Sequence, residues 1–565
     1  MAIGMQLKKL IIRLIPLSLR NHLWMQKLKV KRRFYNVLKP RLSRQFAISG
    51  AENTLKPYQG KKVLIPIIET SHYQHQHILG IAKALQLRGA DVRVLICGGV
   101  LDGCEVKSVR NEGDPDPCWT CRFYASHTTP LYKLDTFTLT DYITSEERDQ
   151  IRRLATHIVS TKEDVVLHGV MLNNTVEDSL IRYFYGAVPK DRNKVSKVKV
   201  NNAMSALQTT EIAFRIDQEW SPDVVLAHMS CYSPWGSFYK YYKNHGNRFR
   251  LVSLNPYDFK RINFNLFELN EPERFANWLA HRESNPLNEK EKQELREFLS
   301  NRFSGGAEIF LREGYFDSNA SAKVDEIVSE SVGKRRVFLF SNIYWDVGMS
   351  DMSDLYSDVI SWVLRTISLL DKQQDIHLYI KTHPGEVYDS SSSLRGVAQI
   401  IREHYPVLPS NLTIIEPESK ISPYELFPYI DVGVIYSGTL GLEMMLSGVP
   451  VISTGKTTHF GLGFSAEPKS ESEYLDLLLA RKAVQNFKRE DLERFAYYYF
   501  IRTSMPWTLT KQAYGDNFDG FSFDSLDEIL PGENPVLDHL CHCIMDYENA
   551  VPEDWPEPVR KQVDH

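Results

Sequence analysis

The segment 61–96 reads KKVLIPIIETSHYQHQHILGIAKALQLRGADVRVLI and decides the fold class. Lys61–Ile68 is a short apolar run of the kind that forms a buried parallel strand. Apolar residues with helical spacing follow over His77–Arg88, and Gly89 is placed to end that helix. Asp91–Ile96 has the composition of a second strand. This order predicts a βαβ unit and therefore a parallel sheet.

The same alternation of strands and helices recurs along the chain. Pro222–Ala227 and Arg250–Leu254 are further strand candidates in the first half. From about Lys334 onward, more strands are predicted at Val337–Ser341, Ile376–Lys381, Leu412–Ile415, Val432–Tyr436 and Val451–Ser453. Two successive doubly wound α/β domains of the Rossmann type are the simplest fold with this order. In such folds, ligands bind at the carboxyl ends of the strands.

The chain has 565 residues, which is longer than one hydrophobic core usually supports. We predict a basic arm over 1–55, a first Rossmann-like domain with a cysteine-containing insertion over 56–325, a second Rossmann-like domain over 326–487, and a helical segment over 488–565 that packs across the hinge. The many charged residues over 288–303 predict an exposed connector helix within the first of these domains.

The N-terminal arm differs in charge from the rest of the chain. Met1–Ala51 contains twelve Lys and Arg residues and no acidic residue. Because the whole chain has a net charge of −4, the remainder has a net charge of −4 − 12 = −16. An acidic main body is unsuited to general nucleic-acid binding. Cations alternate with large aliphatic residues over Leu7–Ile15. This pattern predicts a basic amphipathic helix that binds an anionic membrane surface through residues 1–50, and the alternative is an ordinary helix that docks on the protein.

The apolar runs and the cysteines of the sequence predict where the protein is located and whether it binds a metal ion. The sequence lacks an apolar run of about 18 residues, so no transmembrane helix is predicted. An odd number of cysteines and the lack of a signal peptide favour the cytoplasm, with peripheral binding to the inner face of the plasma membrane. Cys104, Cys118 and Cys121 could together hold a structural zinc ion, and the alternative is a disulfide or simple loop packing. We expect no other cofactor.

Polar residues concentrate immediately after three predicted strands of the second half. They are Ser341-Asn342, Lys381-Thr382-His383-Pro384, and Ser437-Gly438-Thr439 followed by Glu443. A Ser-Gly-Thr turn between a strand and a helix offers backbone N–H groups and two hydroxyls to a phosphate. His383 can donate a hydrogen bond to the same phosphate and, if protonated, offset its charge. Glu443 can accept hydrogen bonds from ribose hydroxyls.

These motifs resemble the capsule polysaccharide biosynthesis family, which includes transferases of the Kdo (3-deoxy-manno-octulosonic acid) type. The residues that carry the resemblance are Phe340-Ser341-Asn342, Trp345-Asp346, Tyr379–Pro384, Tyr436–Thr439, Glu443 and Gly448–Val451, within about residues 330–465. The resemblance implies a GT-B fold, with His383, Ser437 and Thr439 at the phosphate of a nucleotide-sugar donor and Glu443 near that donor. Relatives often have a second serine in place of Gly438, so the resemblance leaves the nucleotide open.

The first domain is expected to bind the acceptor. Glu69 and His72 follow its first strand, at the ligand-binding end, and either can act as general base on an acceptor hydroxyl. His168 and His228 also follow predicted strands, although a structural role is the simpler interpretation for both. The spacing of histidines after the first strand does not match a metal site, so no catalytic metal is predicted.

We therefore expect a metal-independent glycosyltransferase that moves a sugar from a nucleotide-sugar to a surface polysaccharide or glycolipid, that is, a glycan or lipid-linked acceptor. The expected donor-site residues are Ser341, Asn342, Lys381, His383, Ser437, Gly438, Thr439 and Glu443. A polyol-phosphate transferase or a nucleotide-sugar epimerase on the same fold are alternatives. A non-catalytic component of polysaccharide assembly or export is an alternative from another class.

Overall fold

The computed structural model describes residues 36, 39–41, 43–46, 55–68, 72–127, 129–246, 248–254, 261–263, 286–304, 316, 320–346, 352–387, 392–480, 487–502, 504–507, 509 and 521–546, without the side chains of 72–75, 254 and 263. The predicted amphipathic helix of the arm lies outside these residues. Within the described ranges, each helix is too short or too polar to span a lipid bilayer.

A five-stranded parallel sheet organises the first domain. The strands of this domain are β1 (Lys62–Ile67), β2 (Asp91–Ile96), β3 (Asp135–Thr138), β4 (Val166–Leu167), β5 (Val170–Met171), β6 (Val224–Ala227) and β7 (Phe249–Leu251). The strand order in the five-stranded sheet is β3-β2-β1-β6-β7. Strands β4 and β5 form a separate antiparallel hairpin. The segment that decided the fold class forms the predicted βαβ unit, since β1 and β2 pair in parallel along their whole length.

Helices cover both faces of this sheet, as the apolar character of its strands requires. The helices are α1 (His72–Leu87), α2 (Trp119–His127), α3 (Ser145–Thr161), α4 (Asn173–Tyr183), α5 (Arg192–Glu219) and α6 (Ser237–Asn244). Alternate residues of β1 enter different cores: Val63 and Ile65 belong to one apolar cluster and Leu64 to another. Both faces of the strand are therefore buried.

The second domain repeats the topology of the first. Along the chain, β8 (Ser253–Leu254), β9 (Arg261–Asn263), α7 (Glu289–Phe303) and α8 (Ser321–Ser329) come between the strands of the two large sheets. The second domain contains β10 (Arg335–Phe340), α9 (Val359–Leu370), β11 (Ile376–Lys381), α10 (Val397–His404), β12 (Leu412–Ile415), α11 (Pro423–Leu426), β13 (Val432–Ile435), α12 (Leu440–Leu446), β14 (Val451–Ser453) and α13 (Glu471–Leu479). Its strand order is β12-β11-β10-β13-β14, again parallel.

The final segment returns from the second domain to the first. It contains α14 (Arg489–Tyr497), β15 (Ser504–Pro506) and α15 (Pro535–Met545). Strand β15 pairs with β9, and Asp538 on α15 forms a 2.6 Å ion pair with the buried Arg88 guanidinium beside α1. One apolar cluster consequently runs from the first sheet through this segment to Phe338 and Phe340 in the second sheet.

The order in which strands are added reverses in the same way in both sheets. The chain first adds strands on one side of the first strand and then crosses to add strands on its other side. The reversal falls between β1 and β6 in the first domain and between β10 and β13 in the second. The predicted α/β class with two Rossmann-like domains is confirmed, and it is the GT-B architecture. Ligands in such sheets bind outside the carboxyl ends of the strands at the reversal point.

Candidate functional site

The in-register pairing of three strands brings the predicted polar groups of the second domain together. Phe340 of β10 lies opposite Lys381 of β11 and opposite Ile435 of β13. The residues that follow these strands therefore leave the sheet at one level. Asn342 Nδ2 donates a 3.1 Å hydrogen bond to the carbonyl of Ser437 and so connects two of the three turns. We call Ser341, Asn342, His383, Ser437 and Gly438 the edge cluster.

Two atoms of the edge cluster are buried without a hydrogen-bond partner. They are the hydroxyl oxygen of Ser341 and the side-chain carbonyl oxygen of Asn342. A buried polar atom left unpaired costs about 1–3 kcal/mol. Native structures usually satisfy such atoms with protein, water or ligand. Their position at the reversal point of the sheet makes this edge the strongest candidate for a ligand site in the described part of the chain.

His383 is held as a neutral hydrogen-bond donor. The backbone N–H of Gly385 donates a 3.0 Å hydrogen bond to His383 Nδ1, so Nδ1 is unprotonated and the ring proton is on Nε2. Burial, together with the nearby Lys381 ammonium, lowers the pKa of His383 to about 4. At neutral pH the ring can therefore donate one hydrogen bond through Nε2. The charge-neutralising role that protonation would add is not supported.

Lys381 belongs to the same turn but its ammonium lies elsewhere. Its side chain is buried, and Nζ donates a 3.4 Å hydrogen bond to the carbonyl of Glu416, which follows β12. This is the side of β11 that faces away from β10 and β13. Burial lowers the pKa of Lys381 to about 8. Lys381 is thus a buried cation near the edge cluster and does not form part of it.

Glu386 is a buried acid in the His383 turn that sequence analysis passed over. Its Oε2 accepts a 3.1 Å hydrogen bond from the N–H of Val397, the first residue of α10. Its Oε1 is buried without a hydrogen-bond partner. Burial raises the pKa of Glu386 to about 8, so the carboxyl group is mainly protonated at neutral pH. The acid links the His383 turn to α10.

The third turn differs most from expectation. Helix α12 has only seven residues, so the dipole that it contributes is small. Thr439 directs its hydroxyl toward Glu443 Oε1 at 3.1 Å instead of toward the edge. Glu443 has no exposed surface, and its two carboxylate oxygens accept hydrogen bonds from Arg302 and Tyr424. As it stands, this carboxylate is not available to ribose hydroxyls.

Arg302 corrects the prediction of an exposed connector helix. It lies near the end of α7 and is only 4% exposed. Leu295 of the same helix is also buried. The outer face of α7 is solvated, as Arg296 and Glu297 show, but its inner face packs between the final segment and the second domain. The charged residues of α7 thus lie mainly on its solvated face, while Arg302 is buried on the opposite face.

The two domains meet beside the edge cluster, in contacts that we call the junction. Tyr344 donates a 2.8 Å hydrogen bond to the carbonyl of Gly186, and Tyr232 donates a 3.1 Å hydrogen bond to Asp346 Oδ1. The Arg182 guanidinium lies 4.8 Å from the centre of the Trp345 ring. Tyr344, Trp345 and Asp346 follow β10, and Tyr232 follows β6. The carboxyl ends of both sheets therefore border the same cleft.

The candidate residues of the first domain are described in part. Glu69 and the side chain of His72 lie outside the described residues, so their predicted role as general base stays a prediction. His168 lies in the β4–β5 hairpin turn, where its Nε2 is 2.7 Å from Glu211 Oε2, which supports a structural role. His228 is buried, and burial lowers its pKa to about 4. Its ring packs edge-on against Trp235.

The cysteines do not form a metal site in the described residues, which include all seven of them. No group of three or more metal-binding side chains is assembled there. Cys118 precedes α2 and is buried, and burial raises the pKa of its thiol. The geometry gives no support to a zinc ion at Cys104, Cys118 and Cys121.

Comparison with known proteins adds structural similarities only. No protein-family model matches the chain, and no curated protein matches its sequence. Among solved structures, the KpsC β-Kdo 2,7 transferase of Thermosulfurimonas dismutans is 11% identical with a TM-score of 0.31, over 55% of this chain and 85% of that one. The UDP-GlcNAc 2-epimerase of Neisseria meningitidis bound to UDP-GlcNAc is 11% identical with a TM-score of 0.25, over 78% and 99%.

Sucrose-phosphate synthase from Thermosynechococcus elongatus is similarly distant, at 10% identity and a TM-score of 0.24, over 78% of this chain and 94% of that one. Identities and TM-scores this low carry no information about the reaction. The assignment of the fold rests on the two parallel sheets and their order.

The protonated state of Glu386 predicts a pH-dependent stability difference. The folded-state pKa of about 8 lies above the ordinary value of 4.5, so folding is favoured at low pH and the contribution is lost as pH rises toward 8. Glu386→Gln removes this titration. The free energy of unfolding of the variant, measured by urea titration, should therefore rise relative to that of wild type between pH 5 and pH 8, by up to about 1.4 kcal/mol per pH unit.

Glu326→Gln, at an exposed position of α8, is the matched control and should follow wild type at each pH. Parallel pH profiles for wild type and Glu386→Gln would mean that Glu386 is ionised in the folded protein.

Gly186 allows the close contact between the two domains at the junction, because it has no side chain. It has a φ of +81°, and a Cβ atom there would lie 2.2 Å from the Tyr344 hydroxyl oxygen. Gly186→Ala should separate this contact and increase hydrogen exchange over 341–346. Gly333 has a similar φ of +78° and open space around it, so Gly333→Ala reproduces the backbone strain of about 1–2 kcal/mol without the clash. Equal exchange over 341–346 in the two variants would contradict a role for Gly186 at the junction.

Proposed function

We propose that the protein is a glycosyltransferase that takes a sugar from a nucleotide-sugar bound at the edge cluster and transfers it to a glycan or lipid-linked acceptor. The observation that carries the proposal is the convergence of Ser341, Asn342 and His383 with the Ser437-Gly438 turn at the reversal point of the second sheet. Unpaired buried oxygens at this edge call for a polar ligand. A dinucleotide-type or nucleotide-sugar ligand is the class that such edges bind.

Phosphate oxygens are the best match for the donors that the edge cluster supplies. The hydroxyls of Ser341 and Ser437 can donate, and so can Nε2 of a neutral His383. Gly438 has a φ of +103° and lacks a side chain, so a ligand can approach its backbone closely. Hydrogen bonds that strengthen as negative charge develops on the departing nucleotide would stabilise the transition state. No metal ion is needed for this donor set.

The acceptor would enter from the first domain, where the junction and the carboxyl end of β1 border the cleft. A transfer reaction needs a base to remove the proton of the acceptor hydroxyl. Glu69 and His72 follow β1 and keep this proposed role. General-base catalysis of this kind contributes about 10²–10⁴-fold to the rate. A capsule or lipopolysaccharide-type polymer is the acceptor class that we propose, by analogy with the family that the motifs resemble.

A nucleotide panel tests the donor site. CMP, CDP, UDP and GDP are each added to wild type and His383→Ala, and unfolding is followed by thermal shift. Ligand at a hundredfold excess over its dissociation constant should add about 2.7 kcal/mol to the free energy of unfolding. One nucleotide should stabilise wild type but not the variant. His404→Ala, at an exposed position of the same domain, should respond like wild type.

If none of the nucleotides stabilises the folded wild type, the transferase proposal fails and a non-catalytic assembly component becomes the better account. If a nucleotide binds, product analysis separates the enzyme classes. A sugar transferase needs an acceptor and forms a glycosidic bond, an epimerase alters the nucleotide-sugar alone, and a polyol-phosphate transferase leaves a phosphodiester bond in the product.

We also propose that residues 1–50 hold the enzyme on an anionic membrane. Each cation near such a surface contributes about 1 kcal/mol. Replacing Lys8 and Lys9 by Glu in the full chain should therefore weaken binding to phosphatidylserine-containing vesicles at least about tenfold. The same charge change at the exposed Lys190 and Lys420 should have little effect. Equal binding to vesicles of phosphatidylcholine alone would argue against an electrostatic anchor.

A further inference from the structure

A buried ion pair lies directly behind the Ser437 turn. Arg302 Nε donates a 2.6 Å hydrogen bond to Glu443 Oε1, and the two side chains are 5% and 0% exposed. The pair joins α7, which lies between the two sheets in the chain, to α12, which follows the turn. Both side chains of the pair are therefore almost completely shielded from water.

Thr439 connects this ion pair to the turn. Arg302 Nη2 donates a 3.3 Å hydrogen bond to the Thr439 hydroxyl oxygen, and that hydroxyl donates to Glu443 Oε1. As a result, the Thr439 side chain does not cap α12 as a residue at this position commonly does. The hydroxyl is directed inward, and Thr439 can offer only its backbone to a ligand. Tyr424 fixes the second carboxylate oxygen at 2.9 Å.

Stability alone is a poor explanation for this arrangement. Removing a guanidinium and a carboxylate from water is expensive, and well-packed apolar residues of similar volume often stabilise a core as much or more. Buried polar groups are better attested as devices that select one conformation. Here the conformation that they select is that of Thr439, which adjoins Ser437 and Gly438.

The position of α7 makes Arg302 a rigid support. Tyr497 of α14 donates a 2.7 Å hydrogen bond to Glu294 Oε2, and Phe298 stacks on Phe500 at 4.9 Å. On the other side, the ring of Phe303 lies 4.8 Å from that of Tyr424. The helix is therefore clamped between the final segment and the second domain, and the guanidinium at its end has little freedom to move.

We propose that Arg302 is a positioning residue for the edge cluster: together with Glu443 it holds Thr439 so that the turn 437–439 keeps one backbone conformation for the ligand. Glu443 is an anchor for Arg302 and Tyr424 and does not contact the ribose. The expected effect of Arg302 on nucleotide affinity rests on the proposed nucleotide site. The positioning of Thr439 by Arg302 does not depend on that proposal.

The test uses Arg302→Met/Glu443→Gln in the full-length protein, which removes both charges together and leaves neither buried alone. Hydrogen exchange of the amides over 437–443 is measured without ligand, and the nucleotide panel is titrated in parallel. We expect exchange to accelerate and nucleotide affinity to fall, each by about tenfold or more, equal to 1.4 kcal/mol. The urea midpoint serves as the measure of global stability. Arg296→Met, on the exposed face of α7, is the control and should match wild type in all three.

Unchanged exchange over 437–443 in the double variant would overturn the proposal, whatever the nucleotide result. Unchanged affinity for a nucleotide that wild type binds would overturn its consequence while leaving the donor site intact. If wild type binds no nucleotide, the proposed function fails, and exchange still decides the positioning role. Should the double variant not fold, Arg302→Lys provides the same measurement, because it retains the charge but cannot reach Thr439 and Glu443 with one planar group.

Discussion

Parallel pairing of one strand with two neighbours is the constraint on which the site depends. Because β10 pairs in register with β11 and with β13, three separate turns leave the sheet at the same height. A shift of one residue in either pairing would move a whole turn and would also transfer the apolar side chains of that strand to the opposite face. The core therefore enforces the geometry of the edge cluster, although none of the cluster residues belongs to the core.

The supports behind the edge cluster are buried polar groups, and they fall into two kinds. Glu386 is a mainly neutral acid that ties the His383 turn to α10. Arg302 and Glu443 form a charged pair that ties the third turn to α7. A neutral group can be buried at modest cost, whereas a charge needs a partner in close contact. These two turns are consequently held from behind by contacts that leave their outward surfaces open to a ligand.

Much of the fold follows from the sequence because buried parallel strands are local signals. Val432–Ile435 and Ile376–Lys381 are apolar runs bounded by turns, and the rule for carboxyl ends then indicates which turns share an edge. The burial of Arg302 could not be predicted this way, since its partner is 141 residues further along. On a helix rich in charge, one buried arginine looks like its solvated neighbours. The inward hydroxyl of Thr439 is equally a tertiary effect.

His168 follows β4, as predicted, and the structure places it in the tight turn of the β4–β5 hairpin. A strand end and a hairpin turn both place a polar residue after an apolar run. Gly169 was the available clue, because two consecutive residues with positive φ, here His168 and Gly169, are typical of a tight hairpin. The junction could not be predicted from the sequence for a different reason. Tyr232 and Asp346 are 114 residues apart, and only the relative placement of the two domains makes them neighbours.

The return of the final segment has a consequence for how the chain folds during synthesis. Arg88 reaches its partner Asp538 only after a further 450 residues have been made. The first domain therefore cannot complete its core as it emerges from the ribosome, although N-terminal domains commonly fold first. Contacts of such long sequence separation slow folding. Until Asp538 and its helix α15 have been made, part of the apolar surface of the first domain stays uncovered.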